Sequence, residues 1–216
     1  MTTRLAVFDC DGTLVDSQAD VCDTMEFAFK DAGLTPPDRN EIRRSVGLSL
    51  PFALRRLAPE LTDQQCDAIV ERYKFAFRDR RTSGHLREPL YDGIADLLAR
   101  LHASGWSLAV ATGKSDRGLI ACLEAHGIKD KFVSLQTADR HPSKPHPAML
   151  EAALFEAGAD PAQAVMIGDT SFDMEMARGA AVRSVGVAWG YHTPAELLET
   201  GAETVARDPA HLETLL

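Results

Sequence analysis

Two aspartates, Asp9 and Asp11, follow a short apolar run near the start of the chain, Leu5–Phe8. Residues two apart in an extended chain point to the same side, so both carboxylates would face one site. Gly12 permits the tight turn that follows. A turn or a helix cap needs only one Asp, so the pair favours chemistry over a purely structural role. A calcium-binding EF-hand loop is disfavoured, because it requires Gly at its sixth position and Glu at its twelfth.

A hydroxyl and a glycine, Thr112 and Gly113, follow a second apolar run. This combination offers a side-chain donor and free backbone N–H groups to an anion, although Thr also caps helices routinely. Lys144 lies in a proline-rich segment, His141–Pro147, that is stiff enough to place an ammonium group accurately. A solvated surface lysine is the alternative interpretation.

A second acidic pair, Asp169 and Asp173, follows Gly168 and the apolar run Val165–Ile167. Two carboxylates four residues apart at a helix start form a plausible metal site of hard oxygen ligands. Each Asp taken alone is equally consistent with an N-cap.

The elements that must position these residues alternate between short apolar strands and amphipathic helices. Such a pattern predicts an α/β fold with a doubly wound, Rossmann-like parallel sheet, in which ligands bind at the carboxyl ends of the strands. The predicted strands are Leu5–Phe8, Trp106–Ala111, Phe132–Leu135, Val165–Ile167, Ser184–Ala188 and Thr204–Val205. The predicted helices are Gly93–Ala103, Arg117–Ala125, Ala148–Ala157, Phe172–Gly179 and Pro194–Glu199.

Residues 16–87 contain no strand pattern and predict an inserted block of three or four helices, broken at Gly33–Pro37, Gly47 and Pro59. The block holds equal numbers of basic and acidic residues, so the rest of the chain carries the net charge of −9. We therefore expect a core of residues 1–15 and 88–216 with a helical cap of 16–87. The expected apolar core of the cap comprises Phe27, Phe29, Phe52, Leu54, Leu57, Ile69, Tyr73 and Phe77.

Composition narrows the class of protein. With 45% hydrophobic and 25% charged residues, the 216-residue chain is not a disordered one, and its acidic balance argues against nucleic-acid binding. No apolar run approaches the length of a membrane span or of a signal-peptide core. The four cysteines show no metal-binding spacing. These features predict a cytoplasmic protein without nucleic-acid or membrane partners, monomeric or homodimeric.

Taken together, the four motifs resemble those of the haloacid dehalogenase (HAD) superfamily: DxDGT, a hydroxyl residue, a lysine and GDxxxD. They occur in that order as Asp9–Thr13, Thr112, Lys144 and Gly168–Asp173. The helical insertion is similar to the cap of the subfamily that contains phosphoglycolate phosphatases, and so is the segment Gly186–Tyr191.

The resemblance implies a phosphatase that needs Mg²⁺ and forms an aspartyl phosphate. Asp9 would be the nucleophile, and Asp11 would give a proton to the leaving oxygen and later take one from water. Phosphate oxygens would be bound by Thr112, Gly113 and Lys144. The implied Mg²⁺ ligands are Asp9, the backbone carbonyl of Asp11, Asp169 and, directly or indirectly, Asp173.

Substrate choice would belong to the cap. The segment Arg43–Ser49 resembles a loop that covers the active site, so Arg43, Arg44 and Gly47 are expected to influence specificity, with an arginine pairing a substrate carboxylate. The substrate would be a small phosphorylated metabolite, and retention of Asp11 favours phosphate ester hydrolysis over dehalogenation. The alternatives are a phosphosugar mutase, a pyrophosphatase, or a binding or receiver-like protein that accepts phosphate without turnover.

Overall fold

The computed structural model of the chain describes residues 3–216, and within them a single sheet of six parallel strands forms the centre. The strands are β1 (Arg4–Phe8), β2 (Trp106–Thr112), β3 (Phe132–Thr137), β4 (Ala164–Gly168), β5 (Arg183–Val187) and β6 (Thr204–Ala206). Their order across the sheet is β3-β2-β1-β4-β5-β6. The predicted doubly wound α/β fold is confirmed.

The central strand β1 is buried on both faces, which is why its sequence is continuously apolar. It pairs with β2 on one side and β4 on the other, and Phe8 lies opposite Val110 and Ile167. Asp9 and Thr112 therefore lie at the same edge of the sheet as the residues that follow β4.

Helices cover both faces of the sheet. They are α5 (Ile94–Ala103), α6 (Asp116–Ala125), α7 (Ala148–Ala157), α8 (Ser171–Gly179), α9 (Pro194–Thr200) and α10 (Pro209–Leu215). Ala6 and Phe8 face the layer that contains α5, α6 and α10, whereas Leu5 and Val7 face α7 and α8. Helix α10 lies outside the predicted elements; Pro209 begins it, with Asp208 accepting a hydrogen bond from the His211 N–H as the N-cap.

Four further helices lie between β1 and α5: α1 (Gln18–Asp31), α2 (Arg39–Ser45), α3 (Leu50–Leu57) and α4 (Asp63–Thr82). They share an apolar cluster of their own, to which Met25, Phe29, Leu54 and Ile69 contribute. This cluster is separate from those of the sheet. Residues 16–87, which contain the four helices, are called the cap below.

For two residues, Phe27 and Phe52, the prediction that they belong to the apolar core of the cap is wrong. Phe27 is 48% exposed and Phe52 is 60% exposed. On α1 the buried stripe runs through Cys22, Met25 and Phe29, three and four residues apart, which leaves Phe27 on the opposite face. An aromatic residue in a helix does not by itself indicate the buried face.

Among the described residues, none of the helices has both the length and the apolar character required to cross a bilayer.

Candidate active site

The residues predicted to do chemistry converge at the carboxyl edge of the sheet. Asp9 follows β1, Thr112 ends β2, Asp169 follows β4, and Asp173 lies in the first turn of α8. Lys144 enters from the connection between β3 and α7. Four of these side chains (Asp9, Lys144, Asp169 and Asp173) are fully buried. Buried charges of this kind require partners or a bound ion.

Lys144 stands between two of the carboxylates. Its Nζ lies 2.9 Å from Oδ1 of Asp9 and donates a hydrogen bond of 2.6 Å to Oδ1 of Asp173. Burial alone would lower the pKa of Lys144, but the charges of Asp173 and Asp9 raise it above its usual value. The ammonium group therefore remains charged.

The two carboxylate oxygens of Asp9 differ in their contacts. Oδ1 accepts a 2.6 Å hydrogen bond from the backbone N–H of Cys10, whereas Oδ2 is buried and has no hydrogen-bond partner among residues 3–216. Burial raises the pKa of Asp9 to about 7, although Lys144 opposes the shift. An unpartnered buried carboxylate oxygen is costly unless it binds an ion or reacts.

Asp169 is held in place through both of its oxygens. Thr13 Oγ1 donates to Oδ1 at 2.8 Å, and the backbone N–H of Tyr191 donates to Oδ2 at 2.9 Å. Burial, together with the negative charges of Asp9 and Asp173, raises its pKa well above the usual value. Thr13 and Tyr191 lie in the two segments, Asp9–Thr13 and Gly186–Tyr191, that resemble the family, but the sequence does not predict their contacts with Asp169.

Asp173 also uses both oxygens, but for local structure. While Oδ1 binds Lys144, Oδ2 accepts from the backbone N–H and from Oγ1 of Thr170, forming a capping box at the start of α8. The helix cap and the salt bridge are thus two functions of one side chain. Both interpretations of Asp173 that the sequence allows, as an N-cap residue and as a member of the charged site, are consistent with this geometry.

The three carboxylates Asp9, Asp169 and Asp173 each offer an oxygen within 4.8 Å of the others. One lysine cannot balance three buried negative charges, so a cation fits this position. Carboxylate oxygens grouped in this way are the kind of ligand that Mg²⁺ prefers. Asp9 Oδ2 is the oxygen best placed to bind it, since it has no other partner among the described residues.

Two glycines make room for this cluster. Gly12 has a φ of +84°, and a Cβ there would lie 2.2 Å from Oδ2 of Asp169. A Cβ on Gly168 would lie 2.3 Å from Cγ of Asp173. Any side chain at either position would displace a carboxylate, which explains the glycines of the two acidic motifs.

Asp11 lies beside the buried cluster, at the floor of a cavity of about 640 Å³ between the cap and the sheet edge. Its Oδ1 accepts a 2.5 Å hydrogen bond from Ser17 Oγ and lies 2.9 Å from Nζ of Lys114. Gly113 also lines the cavity, and Tyr73 and Phe77 of α4 face it from the cap. No sequence pattern predicts the contacts of Ser17 and Lys114 with Asp11.

The cap loop Val46–Ser49 closes over the sheet edge. A Cβ on Gly113 would lie 2.5 Å from the carbonyl oxygen of Leu48, so the two backbones are in direct contact. The backbone N–H of Ser49 donates a 2.8 Å hydrogen bond to Oγ of Ser143, next to Lys144. This loop therefore contacts the sheet edge on both the Gly113 and the Lys144 sides of the site.

Comparison with known proteins identifies the family. The model of the family described as haloacid dehalogenase-like hydrolase matches residues 6–187. The chain belongs to the HAD-like hydrolases. The protein named "Probable phosphatase IndB" of Dickeya dadantii is 37% identical over 196 residues, covering 89% of this chain and 84% of that protein. A phosphoglycolate phosphatase of Agrobacterium fabrum is 33% identical, and the match covers 100% of this chain and 95% of that protein.

Solved structures show the same fold. The crystal structure of a hydrolase from Pseudomonas syringae superposes with a TM-score of 0.87 at 27% identity. The match covers 100% of this chain and 97% of that one. The similarity therefore extends over the cap as well as the sheet.

In this HAD-like hydrolase the two cap arginines expected to read the substrate do not line the cavity above Asp11. Arg44 forms an ion pair with Glu196 of α9, and Arg43 lines a separate cavity of about 540 Å³ together with Asp38 and Arg39. Gly47 does line the cavity above Asp11. The arginines of that cavity are Arg78, Arg81 and Arg117. No motif marks them: Arg78 and Arg81 reach the cavity only through the packing of α4 in the cap, and Arg117 lies on α6 of the sheet domain.

Proposed function

We propose that the chain is a Mg²⁺-dependent phosphate monoester hydrolase that works through an aspartyl phosphate on Asp9. The observation that supports this most is the buried, unpartnered Oδ2 of Asp9 next to Lys144 and Asp169. The names of the relatives, phosphatase and phosphoglycolate phosphatase, agree with it.

The reaction divides into two displacements at phosphorus. In the first, a carboxylate oxygen of Asp9 bonds to phosphorus while the bond to the substrate oxygen breaks, and Asp11 gives that leaving oxygen a proton. In the second, Asp11 takes a proton from water as the water oxygen bonds to phosphorus and the carboxylate of Asp9 is released. Inorganic phosphate is the product, and Asp11 is again protonated.

The phosphate group would be held by Lys144, by the Thr112 hydroxyl and by the backbone N–H of Gly113. Asp9, the backbone carbonyl of Asp11 and Asp169 would hold Mg²⁺, with Asp173 assisting through its contact with Lys144. When bound, the ion supplies the positive charge that lets a phosphate dianion approach an aspartate. The cap loop excludes bulk water from the phosphorylated aspartate.

The substrate we propose is a small phosphorylated metabolite, with phosphoglycolate the first to test, since several relatives carry that name. We also propose a reducing, cytoplasmic location, supported by four cysteines that are all free and buried in the described structure.

The test measures phosphate release from a panel of phosphorylated metabolites under three conditions. These are Mg²⁺ present, Mg²⁺ removed by excess EDTA, and Mg²⁺ added back after the EDTA treatment. We expect turnover that EDTA abolishes and Mg²⁺ recovers, and none in Asp9→Asn. Full activity in EDTA after dialysis would contradict the metal requirement. Isomerisation of a sugar phosphate without phosphate release would indicate a mutase, and uptake of one stable phosphate per chain would indicate a switch.

A further inference from the structure

Lys114 is a second buried lysine at the edge of the sheet, and it is not among the residues proposed above to hold the phosphate group. It follows Thr112 and Gly113 at the end of β2, and its side chain is 7% exposed. Its Nζ donates a 2.5 Å hydrogen bond to Oε1 of Glu88 and lies 2.9 Å from Oδ1 of Asp11. A lysine this deeply buried and paired with two carboxylates is held in one position.

The contacts of Asp11 are all on one oxygen. Ser17 Oγ and Lys114 Nζ both approach Oδ1, from the cap side and from the β2 side respectively. Oδ2 makes no hydrogen bond to any residue from 3 to 216, so it is the oxygen free to exchange a proton with substrate or water. Because Ser17 and Lys114 bind Oδ1 from two directions, the carboxyl group cannot rotate freely. The direction of Oδ2 is therefore fixed as well.

Glu88 in turn is anchored to the cap and to the sheet domain. Arg81 of α4 donates a 3.0 Å hydrogen bond to its Oε2, and a ring nitrogen of His126 lies 2.7 Å from its carbonyl oxygen. The ring of Phe77, one turn before Arg81, covers Lys114 with its centroid 5.6 Å from Nζ. Helix α4 of the cap thus covers Lys114 in the observed arrangement of the cap and the sheet.

We propose that Lys114 is a positioning residue that holds the carboxyl group of Asp11 with Oδ2 directed at the leaving-group oxygen, and that Glu88 keeps Lys114 in place. The proposal rests on the proposed hydrolysis of phosphate esters, in which Asp11 donates the proton. A misplaced proton donor slows the reaction most where the leaving group needs the proton. Lys114 would therefore affect good and poor leaving groups unequally.

Two substrates of similar size distinguish a loss of proton donation from a general loss of activity. p-Nitrophenyl phosphate releases a phenolate that leaves without a proton, whereas benzyl phosphate releases an alkoxide that requires one. The parameter is kcat/KM, because it covers only the steps up to departure of the leaving group. For Lys114→Met we expect a loss of about 10- to 100-fold with benzyl phosphate, part of the 10²–10⁴ that a general acid contributes. With p-nitrophenyl phosphate we expect a loss of less than about threefold.

The double variant tests whether Lys114 acts through Asp11. Because Asp11→Asn stalls after one turnover, this comparison uses single-turnover reactions with benzyl phosphate. Asp11→Asn/Lys114→Met should release benzyl alcohol no more slowly than Asp11→Asn alone, because no proton donor remains to be positioned. Lys129→Met is the matched control: Lys129 pairs with Glu124 on the surface and should leave both substrates unaffected. Equal losses on the two substrates, or additive losses in the double variant, would overturn the proposal.

Glu88→Gln provides an independent measurement if Lys114→Met does not fold, as judged by circular dichroism. It keeps Lys114 but weakens the ion pair that holds it. The loss of kcat/KM should therefore again be larger with benzyl phosphate than with p-nitrophenyl phosphate, but smaller than in Lys114→Met. An unselective loss in folded Glu88→Gln would overturn the proposal as well. If the unmodified enzyme hydrolyses neither substrate, it is the proposed phosphatase function that fails.

Discussion

The ammonium group of Lys144 lies 2.9 Å from Oδ1 of Asp9, while Oδ2 of the same carboxylate has no partner among the described residues. Lys144 therefore supplies Asp9 with charge on one side only. Asp169 and Asp173 lie within the same cluster and add negative charge close to Asp9. The consequence is a carboxylate whose pKa burial raises to about 7, and whose ionised form a cation would stabilise.

The first prediction concerns stability and pH. Without metal, Asp9 binds a proton more tightly in the folded chain than in the unfolded one, where its pKa has the ordinary value. Its contribution to the free energy of unfolding therefore falls as pH rises from about 4 to about 7. Mg²⁺ should remove this penalty, so it should raise the melting temperature more at pH 8 than at pH 5.5. Thermal denaturation at both pH values, with and without Mg²⁺, measures the difference.

Asp169→Asn is the control for that measurement, since it removes a carboxylate while changing volume little. In this variant the stabilisation by Mg²⁺ should be largely lost at both pH values. The same rise in melting temperature at pH 5.5 and pH 8 would show that Mg²⁺ acts at a site remote from Asp9.

The second prediction concerns Arg44. Its ion pair with Glu196 is partly exposed, and pairs of this kind contribute about 0–1 kcal/mol. Arg44→Ala should therefore change stability little and should leave KM for a carboxylate-bearing substrate such as phosphoglycolate unchanged. Urea denaturation and steady-state kinetics test the two parts. A large rise in KM that is confined to carboxylate-bearing substrates would restore Arg44 to the substrate-binding role that the sequence suggests.

The sheet and the charged cluster can be predicted from the sequence because both depend on local signals. Short apolar runs mark the strands, and in a parallel sheet the residues after β1, β2 and β4 must meet at one edge. The sequence therefore predicts that Asp9, Thr112 and Asp169 share one edge, and the strand order, with β1 between β2 and β4, makes them neighbours there.

The contacts of the cap could not be predicted in the same way. Which face of α4 covers the cavity depends on how four helices pack, and that packing places Phe77 inward and Phe52 outward. Glu88 and Lys114 are 26 residues apart, and nothing in their surroundings in the chain indicates that they pair. Long-range pairs of charged residues have no periodic signature.

The third prediction uses the contact between the cap loop and Gly113. A Cβ at this position would lie 2.5 Å from the carbonyl oxygen of Leu48, so Gly113→Ala must push the loop away from the sheet edge. We expect a fall in kcat/KM of at least about tenfold, since small displacements of a closing loop are costly to catalysis. Gly179→Ala is the matched control: the nearest atoms to its Cβ would be those of Pro147, at ordinary contact distance, and activity should be retained. Normal activity in Gly113→Ala would mean that the loop is not seated on Gly113 during turnover.

The fourth prediction separates the roles of Asp9 and Asp11 by rapid-mixing kinetics with p-nitrophenyl phosphate. Asp9→Asn has no nucleophile, so it should give neither a burst of p-nitrophenolate nor a phosphorylated protein. Asp11→Asn keeps the carboxylate of Asp9, and this leaving group departs without a proton, so one equivalent of p-nitrophenolate should appear rapidly. Turnover should then stall, because the attack of water on the phosphorylated Asp9 also needs Asp11, as a base.

Both variants replace a carboxylate by an amide of nearly equal volume, so differences in packing cannot explain a difference in the burst. The stalled Asp11→Asn protein should carry one phosphate per chain, seen as an increase in intact mass that is absent from Asp9→Asn. Since Ser17 and Lys114 hold Oδ1 of Asp11 and not Asp9, the site of phosphorylation itself should remain intact in Asp11→Asn. Loss of the burst in both variants, with both shown to be folded and to bind Mg²⁺, would mean that Asp11 is needed before the leaving group departs, and the division of roles would be wrong.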